Sequence, residues 1–504
     1  MVIFMKKIVF LPLDERPCNV KFPLTLFNSE TMQVVVPTQL GDKKTPADVA
    51  ALEEFLRTEC TNADGLVISL DMLLYGGLVP SRLHQLPENE LLCRLDILRA
   101  LHMQNPSLRI FAFHCIMRCP TYSSADEEPD YYGVYGADIH ALGVARHKAQ
   151  QGEDGACEAV RKLEAKIPPK ALEDYLTRRM GNLTMNLAGL SLVEEGVVEF
   201  LSVPQDDAAP LGFTAMDQAQ VRLAVRKKKV QDKVLIYPGA DEQGMTLLAR
   251  MRNMLEGRRP AVYVEYASVG APLVVPQFED RPLGETVRCQ LAAAGCRQAA
   301  PELADFILAV TAPPAGIVGA AVQPRLNLDY DVRRSLTPFF GELCFWMDAG
   351  KPVSVCDNAY CNGGDLELLS MLDASGRLMR VAGYAGWNTS ANTIGTAIAE
   401  GVRYLYEGVD ARFLDFLALR YVEDCGYDAV VRQSVTSEDL PAMGFDYFNA
   451  GEAEGEVAAC VARRLRKFIQ EEMSSVASHI VLECVRLPWR RMFELDLDVR
   501  YTAP

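Results

Sequence analysis

Short apolar runs alternate along the chain with segments of helical periodicity. The first run, 7–13, is typical of a buried strand and ends where charged residues begin. Similar runs predict strands at 33–36, 66–70, 109–117, 197–203, 234–237, 261–268, 304–314, within 351–364 and at 381–385. Helices are predicted between them, for example at 88–103 and at 45–59, where Thr45 and Pro46 supply a helix start. The pattern predicts repeated β/α units.

The strands fall into two series that resemble each other. KIVFLPLDE near the N-terminus is similar to KVLIYPGADE, and VPQDDAAPLG is similar to GYAGWNTSAN. Two such series favour two similar Rossmann-like halves, each a parallel sheet flanked by helices, that face a cleft. A (β/α)8-like barrel is the alternative, because both folds gather functional residues at strand carboxyl ends. The predicted domains are a first half at 1–230 with a helical insertion at about 121–195, a second half at 231–402 and a mostly helical C-terminal region at 403–504.

The segment 379–407 is the most informative single stretch. It predicts a short buried strand at 381–385, a turn rich in small and amide residues, and then a helix whose first turn has several possible caps. Ala391, Gly395 and Ala399 recur every four residues on one helix face. That spacing predicts a helix that lies close to the sheet.

Composition and charge exclude several classes of partner. With 49% hydrophobic and 23% charged residues the chain is typical of a globular protein, and its formal net charge of −16 disfavours nucleic acid. The N-terminal apolar run is too short for a signal peptide or a membrane span. The fourteen cysteines are scattered along the chain rather than clustered, which favours reduced thiols over a disulfide framework. We therefore expect a cytoplasmic protein with a small-molecule partner, no nucleic acid and no membrane, while the oligomeric state stays open.

Polar residues follow most of the predicted strands, where a parallel sheet brings them to one edge. Those that form the candidate site are Asp14, Arg16, Asp71, Tyr75, Arg82, Arg118, Asp206 and Asp207 in the first half and Asp241, Glu242, Asp357, Asn358, Trp387, Asn388 and Asn392 in the second. Acid–base catalysis requires carboxylates whose pKa values differ, which a close pair produces. We assign catalysis to Asp206, Asp207, Asp241 and Glu242, and substrate binding to the others.

A metal site is the main alternative chemistry. Asp357, Asn358, Asn362 and Asp365 supply oxygen ligands of the kind that Mg²⁺ and Ca²⁺ prefer, although their spacing is not that of a calcium loop. The scattered histidines offer no zinc spacing, and His114 is predicted to be a buried, hydrogen-bonded residue. No nucleotide-binding motif is present. The prediction is no cofactor, with a divalent cation as the alternative.

The convergence of acids, amides and aromatic residues predicts a hydrolase for a small polyhydroxylated substrate, a glycoside or sugar derivative. Arg82 or Arg118 is expected to bind any anionic group, and Tyr122, Tyr131 and Trp387 to stack on a sugar face. Two alternatives stay open: a metal-dependent, phosphatase-like hydrolase and a sugar-binding protein without catalysis.

Several long motifs extend over almost the whole chain. They are LPLDERPCN, SLDMLLYGGLVPSR, MRCPTYSSADEEPDYY, VPQDDAAPLG, YPGADE, AGWNTSANTIGTAIA and LPWRRMFE. Together they resemble a bacterial family known only as domain of unknown function four-one-two-seven. The resemblance implies no activity, so the site assignments rest on the residues alone.

Overall fold

The strands of the protein form two parallel sheets and a hairpin. The computed structural model describes residues 5–323 and 327–503. The strands are β1 (Lys6–Leu11), β2 (Met32–Val35), β3 (Gly65–Ser69), β4 (Arg109–Phe113), β5 (Phe200–Gln205), β6 (Val234–Pro238), β7 (Ala261–Tyr266), β8 (Arg297–Gln298), β9 (Phe306–Val310), β10 (Val353–Cys356), β11 (Gly383–Ala385), β12 (Ile480–Arg486) and β13 (Asp496–Tyr501).

Helices connect and cover these strands. They are α1 (Lys21–Phe27), α2 (Val49–Glu59), α3 (Leu70–Tyr75), α4 (Glu88–Leu95), α5 (Ile97–Gln104), α6 (Tyr132–Gln150), α7 (Ala156–Glu164), α8 (Pro169–Glu194), α9 (Phe213–Lys228), α10 (Gln243–Leu255), α11 (Leu283–Ala293), α12 (Leu328–Asp331), α13 (Leu336–Asp348), α14 (Leu366–Ala374), α15 (Ser390–Glu407), α16 (Ala411–Arg420), α17 (Arg432–Ser434), α18 (Leu440–Met443) and α19 (Glu456–Glu472). Wider π-helical turns at Tyr421–Val431 and Val435–Asp439 follow α16 and α17.

Both large sheets are parallel, as the sequence predicts. The first has six strands in the order β2-β1-β3-β4-β5-β6, and the second has five in the order β11-β10-β9-β7-β8. Neither closes into a barrel within residues 5–323 and 327–503, so the two-sheet prediction is confirmed over the barrel alternative. Strands β3, β5, β9, β10 and β11 are buried along their whole length, which explains their continuous apolar sequences.

The chain divides into two compact units whose boundaries differ from the predicted ones. The first unit comprises the chain up to Glu15, Ser29–Leu247 and Phe278–Asp280, and the second comprises the remaining segments. The predicted boundary at 230/231 falls before β6, but β6 pairs with β5 in the first sheet, with Val234 beside Leu201. The region 403–504 is largely helical and clusters with the second unit.

Two predicted helices have different limits because of local backbone contacts. The helix expected from Thr45 begins at Val49, since the Asp48 side chain accepts from the backbone N–H groups of Ala50 and Ala51 at 3.0 and 3.2 Å. Thr45 instead forms a tight bridge with Asp42. The helix predicted at 88–103 is divided into α4 and α5. The last strand, β13, pairs with β12 in an antiparallel hairpin.

Helix α15 lies against the second sheet as its small residues predict. Ser354 of β10 donates its hydroxyl to the carbonyl oxygen of Ala397 at 2.6 Å, which joins strand and helix directly. The turn before α15 is closed by Asn392, whose Oδ1 accepts from the hydroxyl of Thr389 at 2.7 Å. Gly401 packs on Phe306 of β9, and a methyl group added there would lie 2.7 Å from the ring. The close approach therefore depends on small residues.

Substitution of Gly401 by Ala should destabilise the protein by about 1–3 kcal/mol, because the new methyl group overlaps a buried ring. Gly341 in α13 is a matched control, since an added Cβ there meets nothing within 4 Å. Gly341→Ala should stabilise the protein by up to about 1 kcal/mol through helix propensity. Chemical unfolding of both variants measures the difference, and equal effects at the two positions would contradict the packing argument.

Candidate active site

The first sheet places the predicted polar residues of its unit along one edge. Strands β1, β3, β4, β5 and β6 are consecutive neighbours and parallel, so their carboxyl ends lie side by side. The residues that follow these strand ends are, in sheet order, Asp14, Asp71, Arg118, Asp206 with Asp207, and Asp241 with Glu242. The prediction that strand ends collect the polar residues therefore holds within the first unit.

Six side chains of the first unit form an arginine–carboxylate cluster. They are Arg82, Arg118, Glu127, Glu128, Asp206 and Asp207. Arg82 follows α3 in a short helical turn. Its Nη2 donates to Asp206 Oδ2 at 2.8 Å, and its Nη1 donates to Glu127 Oε2 at 2.9 Å. Glu128 Oε1 lies 3.4 Å from the same Nη1. Three carboxylates therefore surround one guanidinium group.

Arg118 joins the same carboxylates from the end of β4. Its Nε donates to Glu128 Oε1 at 2.8 Å and its Nη2 to Glu127 Oε2 at 3.0 Å. Its Nη1 lies 3.7 Å from Asp206 Oδ2 and 3.5 Å from Asp207 Oδ2. The carboxylates of these two adjacent aspartates therefore converge on one guanidinium group.

Asp207 has an unusual backbone and an unusual carboxyl group. Its φ of 47° lies in the left-handed region, which Asp and Asn adopt more readily than most residues with a side chain. Burial raises the pKa of Asp207 to about 7, the charge of Asp206 adds to the rise, and Arg118 and Arg82 oppose it. At neutral pH this carboxyl group is consequently divided between its acid and base forms.

Asp71, Tyr75 and His114 form a group of buried polar side chains. Asp71 Oδ2 accepts from the backbone N–H of Cys115 at 2.9 Å, and burial raises the pKa of Asp71 to about 7. Tyr75 and His114 are buried, and their rings lie 6.3 Å apart. Among the described residues, neither the Tyr75 hydroxyl nor the His114 ring nitrogens have a hydrogen-bond partner. The prediction that the His114 ring is hydrogen-bonded was therefore wrong; burial lowers the pKa of His114 to about 3 and keeps the ring neutral.

Glu242 and Asp241 differ in their surroundings. Glu242 Oε2 accepts from the backbone N–H of Ala240 at 3.0 Å, and Gly239, with φ of 145°, packs against the same carboxylate. These contacts hold the turn after β6. Asp241 is also buried, and its charge, like those of Asp71 and Asp206, adds to burial in raising the pKa of the Cys115 thiol. Asp241 therefore lies within electrostatic range of Cys115, whose backbone N–H contacts Asp71.

Stability should fall as pH rises through the titration of Asp71. Its folded-state pKa of about 7 exceeds the unfolded value of 3.8, so the folded protein holds a proton that the unfolded chain releases. The free energy of unfolding therefore decreases from above pH 3.8 until about pH 7, by up to about 4 kcal/mol in all. In Asp71→Asn, unfolding by urea should be correspondingly less pH-dependent. If the free energy of unfolding changed with pH in the same way for the variant and the wild type, a raised pKa of Asp71 would be contradicted.

The second unit holds the other predicted residues in a buried network. Asp357 Oδ1 accepts from the Thr311 hydroxyl at 2.7 Å, and its Oδ2 accepts from the Tyr384 hydroxyl at 2.6 Å and the Asp365 backbone N–H at 2.7 Å. Burial, with the charge of Asp365, raises the pKa of Asp357 to about 6. Asn358 is buried beside it and donates to the carbonyl oxygen of Ser390 at 3.2 Å. Protein groups thus occupy the polar atoms proposed for substrate.

The turn before α15 has a similar character. Trp387 is buried, its indole N–H donates to Thr396 Oγ1 at 3.1 Å, and its ring meets Phe22 edge-on. Asn388 has a φ of 54°, and its carbonyl oxygen accepts from the Asn362 N–H at 2.8 Å. Asn392 serves the helix start described above. Little of the Trp387 ring is accessible for stacking.

Two more predicted residues have protein partners. Arg16 belongs to the second unit, where its Nη1 donates to Glu494 Oε2 at 3.2 Å and its guanidinium carbon lies 4.7 Å from the Trp489 ring centre. The Tyr131 hydroxyl donates to Asp174 Oδ2 at 2.8 Å. Tyr122, in contrast, is an exposed ring of the first unit.

Sequence reasoning missed Glu127 and Glu128 as members of the site. They lie in the loop after β4, near the start of the segment that was predicted as a helical insertion at about 121–195. The sequence offered one signal for them. Glu127 and Glu128 form a pair of acids before Pro129, nine and ten positions after Arg118, whose positive charge requires acidic partners. Within residues 5–323 and 327–503, no three His, Cys, Asp or Glu side chains are grouped so that they could hold a metal ion.

These observations define an α/β protein with two parallel sheets and a carboxylate-rich edge on the first. The chain belongs to the family described as Protein of unknown function (DUF4127), whose model matches residues 8–498. The resemblance seen in the motifs is thereby confirmed. No curated protein matches the chain significantly. Of the helices within the two described ranges, none has the length and apolar character required to cross a bilayer.

Proposed function

We propose that the first unit carries the active site of a hydrolase for a small polyhydroxylated substrate, a glycoside or sugar derivative, with Asp207 as proton donor. The observation that carries the proposal is the pair of adjacent carboxyl groups: Asp206 accepts from Arg82 at 2.8 Å, while burial and the charge of Asp206 raise the pKa of Asp207 to about 7. Two neighbouring carboxyl groups in different environments are the usual basis of acid–base hydrolysis at neutral pH.

In the proposed reaction, protonated Asp207 donates its proton to the leaving-group oxygen as the bond from that oxygen to the sugar carbon breaks. Asp206, which accepts from Arg82 at 2.8 Å, supplies negative charge next to the positive charge that develops on the sugar ring. A water molecule adds to the carbon, and its proton passes to the Asp207 carboxylate. The acid form of Asp207 is restored, and one water is consumed for each bond broken.

Other polar groups of the same edge are suited to hold the substrate. Asp14 and Asp71 lie at neighbouring strand ends, and a carboxyl group, whether protonated or ionised, can form hydrogen bonds with sugar hydroxyls. The exposed Tyr122 ring offers a stacking surface in the same unit. All fourteen cysteines are free thiols, which supports a cytoplasmic location as part of the proposal.

A panel of chromogenic glycosides, assayed from pH 5 to 9, tests this function. The proposal predicts hydrolysis of at least one glycoside, with a rate that falls above about pH 7 as Asp207 loses its proton. Absence of turnover across α- and β-linked hexosides, pentosides, amino sugars and uronides would contradict it. An exposed-site variant, Asp232→Asn, serves as the control for preparation effects.

A further inference from the structure

The arginine–carboxylate cluster presents its acids, rather than its arginines, to solvent. The side chains of Asp206 and Asp207 are each 19% exposed and that of Glu127 is 16% exposed, whereas those of Arg82 and Arg118 are 2% and 10% exposed. Both guanidinium groups already donate to protein carboxylates. An arriving ligand therefore meets carboxylates first, which differs from our expectation that Arg82 or Arg118 binds an anionic group.

The formal charges agree with this arrangement. The cluster contains four acids, Glu127, Glu128, Asp206 and Asp207, against two arginines, which leaves two negative charges when all are ionised and one when Asp207 holds its proton. Asp241 lies near enough to act on Cys115 together with Asp206 and adds to the negative potential. A further anion would have to approach this excess of like charge, while a cation would be attracted.

A carboxylate oxygen of Glu128 lacks a hydrogen-bond donor, which is a second observation independent of the charges. Its side chain is 2% exposed, and its Oε1 receives Arg118 Nε at 2.8 Å. Its Oε2 is buried and has no hydrogen-bond partner among residues 5–323 and 327–503. A buried carboxylate oxygen without a donor is costly, so the position is suited to an N–H or O–H group brought by a ligand.

Tyr122 is an aromatic residue of the same unit, and it is 48% exposed. Burial of its hydroxyl raises the pKa of Tyr122, with Asp207, Glu127 and Asp206 adding to the rise and Arg118 opposing it, so the ring lies within electrostatic range of the cluster. Carboxylates together with an accessible aromatic face are the combination that recognises ammonium groups.

We propose that the substrate carries a protonated amine and belongs to the class of amino sugars, with the ammonium group bound between the exposed carboxylates and Glu128 Oε2. This inference rests on the proposed function for the identity of the site and adds the charge of the substrate. It also assigns Glu128 as a residue that determines specificity, through a direct contact with the ammonium group.

Four sugars test the charge preference by titration monitored with NMR. Glucose, 6-amino-6-deoxyglucose and glucuronate differ only at one carbon, and glucosamine at pH 6 places a protonated amine at another. At least one amino sugar should bind about 10-fold more tightly than glucose, and glucuronate more weakly than glucose. Addition of salt should reduce the preference. Tighter binding of glucuronate, equal binding of all four sugars, or no binding by any of them would overturn the proposal.

Glu128→Gln provides the residue-level test. Its amide keeps an oxygen for Arg118 but removes the charge, so the preference for the amino sugar over glucose should fall about 10-fold. Glu199→Gln is a matched control in the same unit, since Glu199 pairs with Arg109 outside the cluster. An unchanged preference in folded Glu128→Gln would overturn the assignment. Selective binding of amino sugars without any hydrolysis would instead refute the proposed function and leave the charge inference intact.

Discussion

Asp207→Asn is expected to lower kcat for a hydrolysed glycoside by about 10³-fold, the typical contribution of a positioned general acid. Asn cannot donate a proton of comparable acidity, although it has nearly the same shape and also tolerates the φ of 47° found at this position. Affinity for substrate should change much less, because the chemistry rather than the binding surface is altered. Steady-state kinetics on the best substrate of the glycoside panel measures both quantities.

Asp207→Gly separates backbone strain from chemistry. Glycine adopts a positive φ without cost, so this variant should be at least as well folded as wild type and as inactive as Asp207→Asn. Retention of full activity in either folded variant would remove Asp207 from the mechanism. A loss confined to KM would instead make Asp207 a binding residue.

Arg420→Met is expected to have the largest effect on stability, about 3–5 kcal/mol. Arg420 is fully buried, its Nη2 donates to Asp424 Oδ1 at 2.8 Å and contacts Glu423, and its guanidinium carbon lies 4.3 Å from the Phe22 ring centre. Asp424 Oδ2 in turn accepts from the Gly386 N–H at 2.7 Å, next to Trp387. Methionine fills much of the volume but leaves two buried acids without their cation.

Arg57→Met is the matched control for this prediction. Arg57 pairs with Glu53 one helical turn away, and both side chains are nearly half exposed, so its removal should cost no more than about 0.5 kcal/mol. Chemical unfolding of the two variants gives the comparison directly. Similar small losses for both would show that the Arg420 cluster is not a stabilising centre of the second unit.

Strands such as β3, β5 and β9 could be predicted because they are buried on both faces and leave continuous apolar runs, whereas the short, exposed β8 leaves none. Such a run records burial but not which strands are neighbours. The segment 234–237 therefore resembled the first strand of a new sheet, whereas β6 pairs with β5. The same limit explains why Arg16–Asn28 was not assigned to the second unit, since its grouping depends on contacts distant in sequence.

The positions of the site residues followed from topology, but their partners did not. Asp71, Arg118 and Asp206 were expected at one edge because parallel strands bring their ends together. The enclosure of Arg82 by three carboxylates depends on the loop that carries Glu127 and Glu128, which has no periodic pattern. Loop conformation is set by such tertiary contacts, so the covered state of the arginines was not predictable from spacing.

The second unit illustrates the same difference. Asp357 and Asn358 follow a strand, which suggested a role in binding, but the residues that satisfy them come from distant segments such as Thr311, Tyr384 and Ser390. A polar residue at a strand end can serve a ligand or the fold, and only its partners distinguish these roles. The start of α15, in contrast, depends on neighbours in sequence and was predictable, although Asn392, which caps it together with Thr389, was assigned to substrate binding.

The central claim is that Asp207 retains a proton near neutral pH, and an infrared titration of the protonated carboxyl band tests it without any substrate. The spectrum of wild type minus that of Asp207→Asn isolates this group from Asp71 and Asp428, whose pKa values burial also raises to about 7. The difference band should disappear with a midpoint near pH 7. A midpoint near pH 4, the usual value for an aspartate, would contradict the assignment of Asp207 as the proton donor.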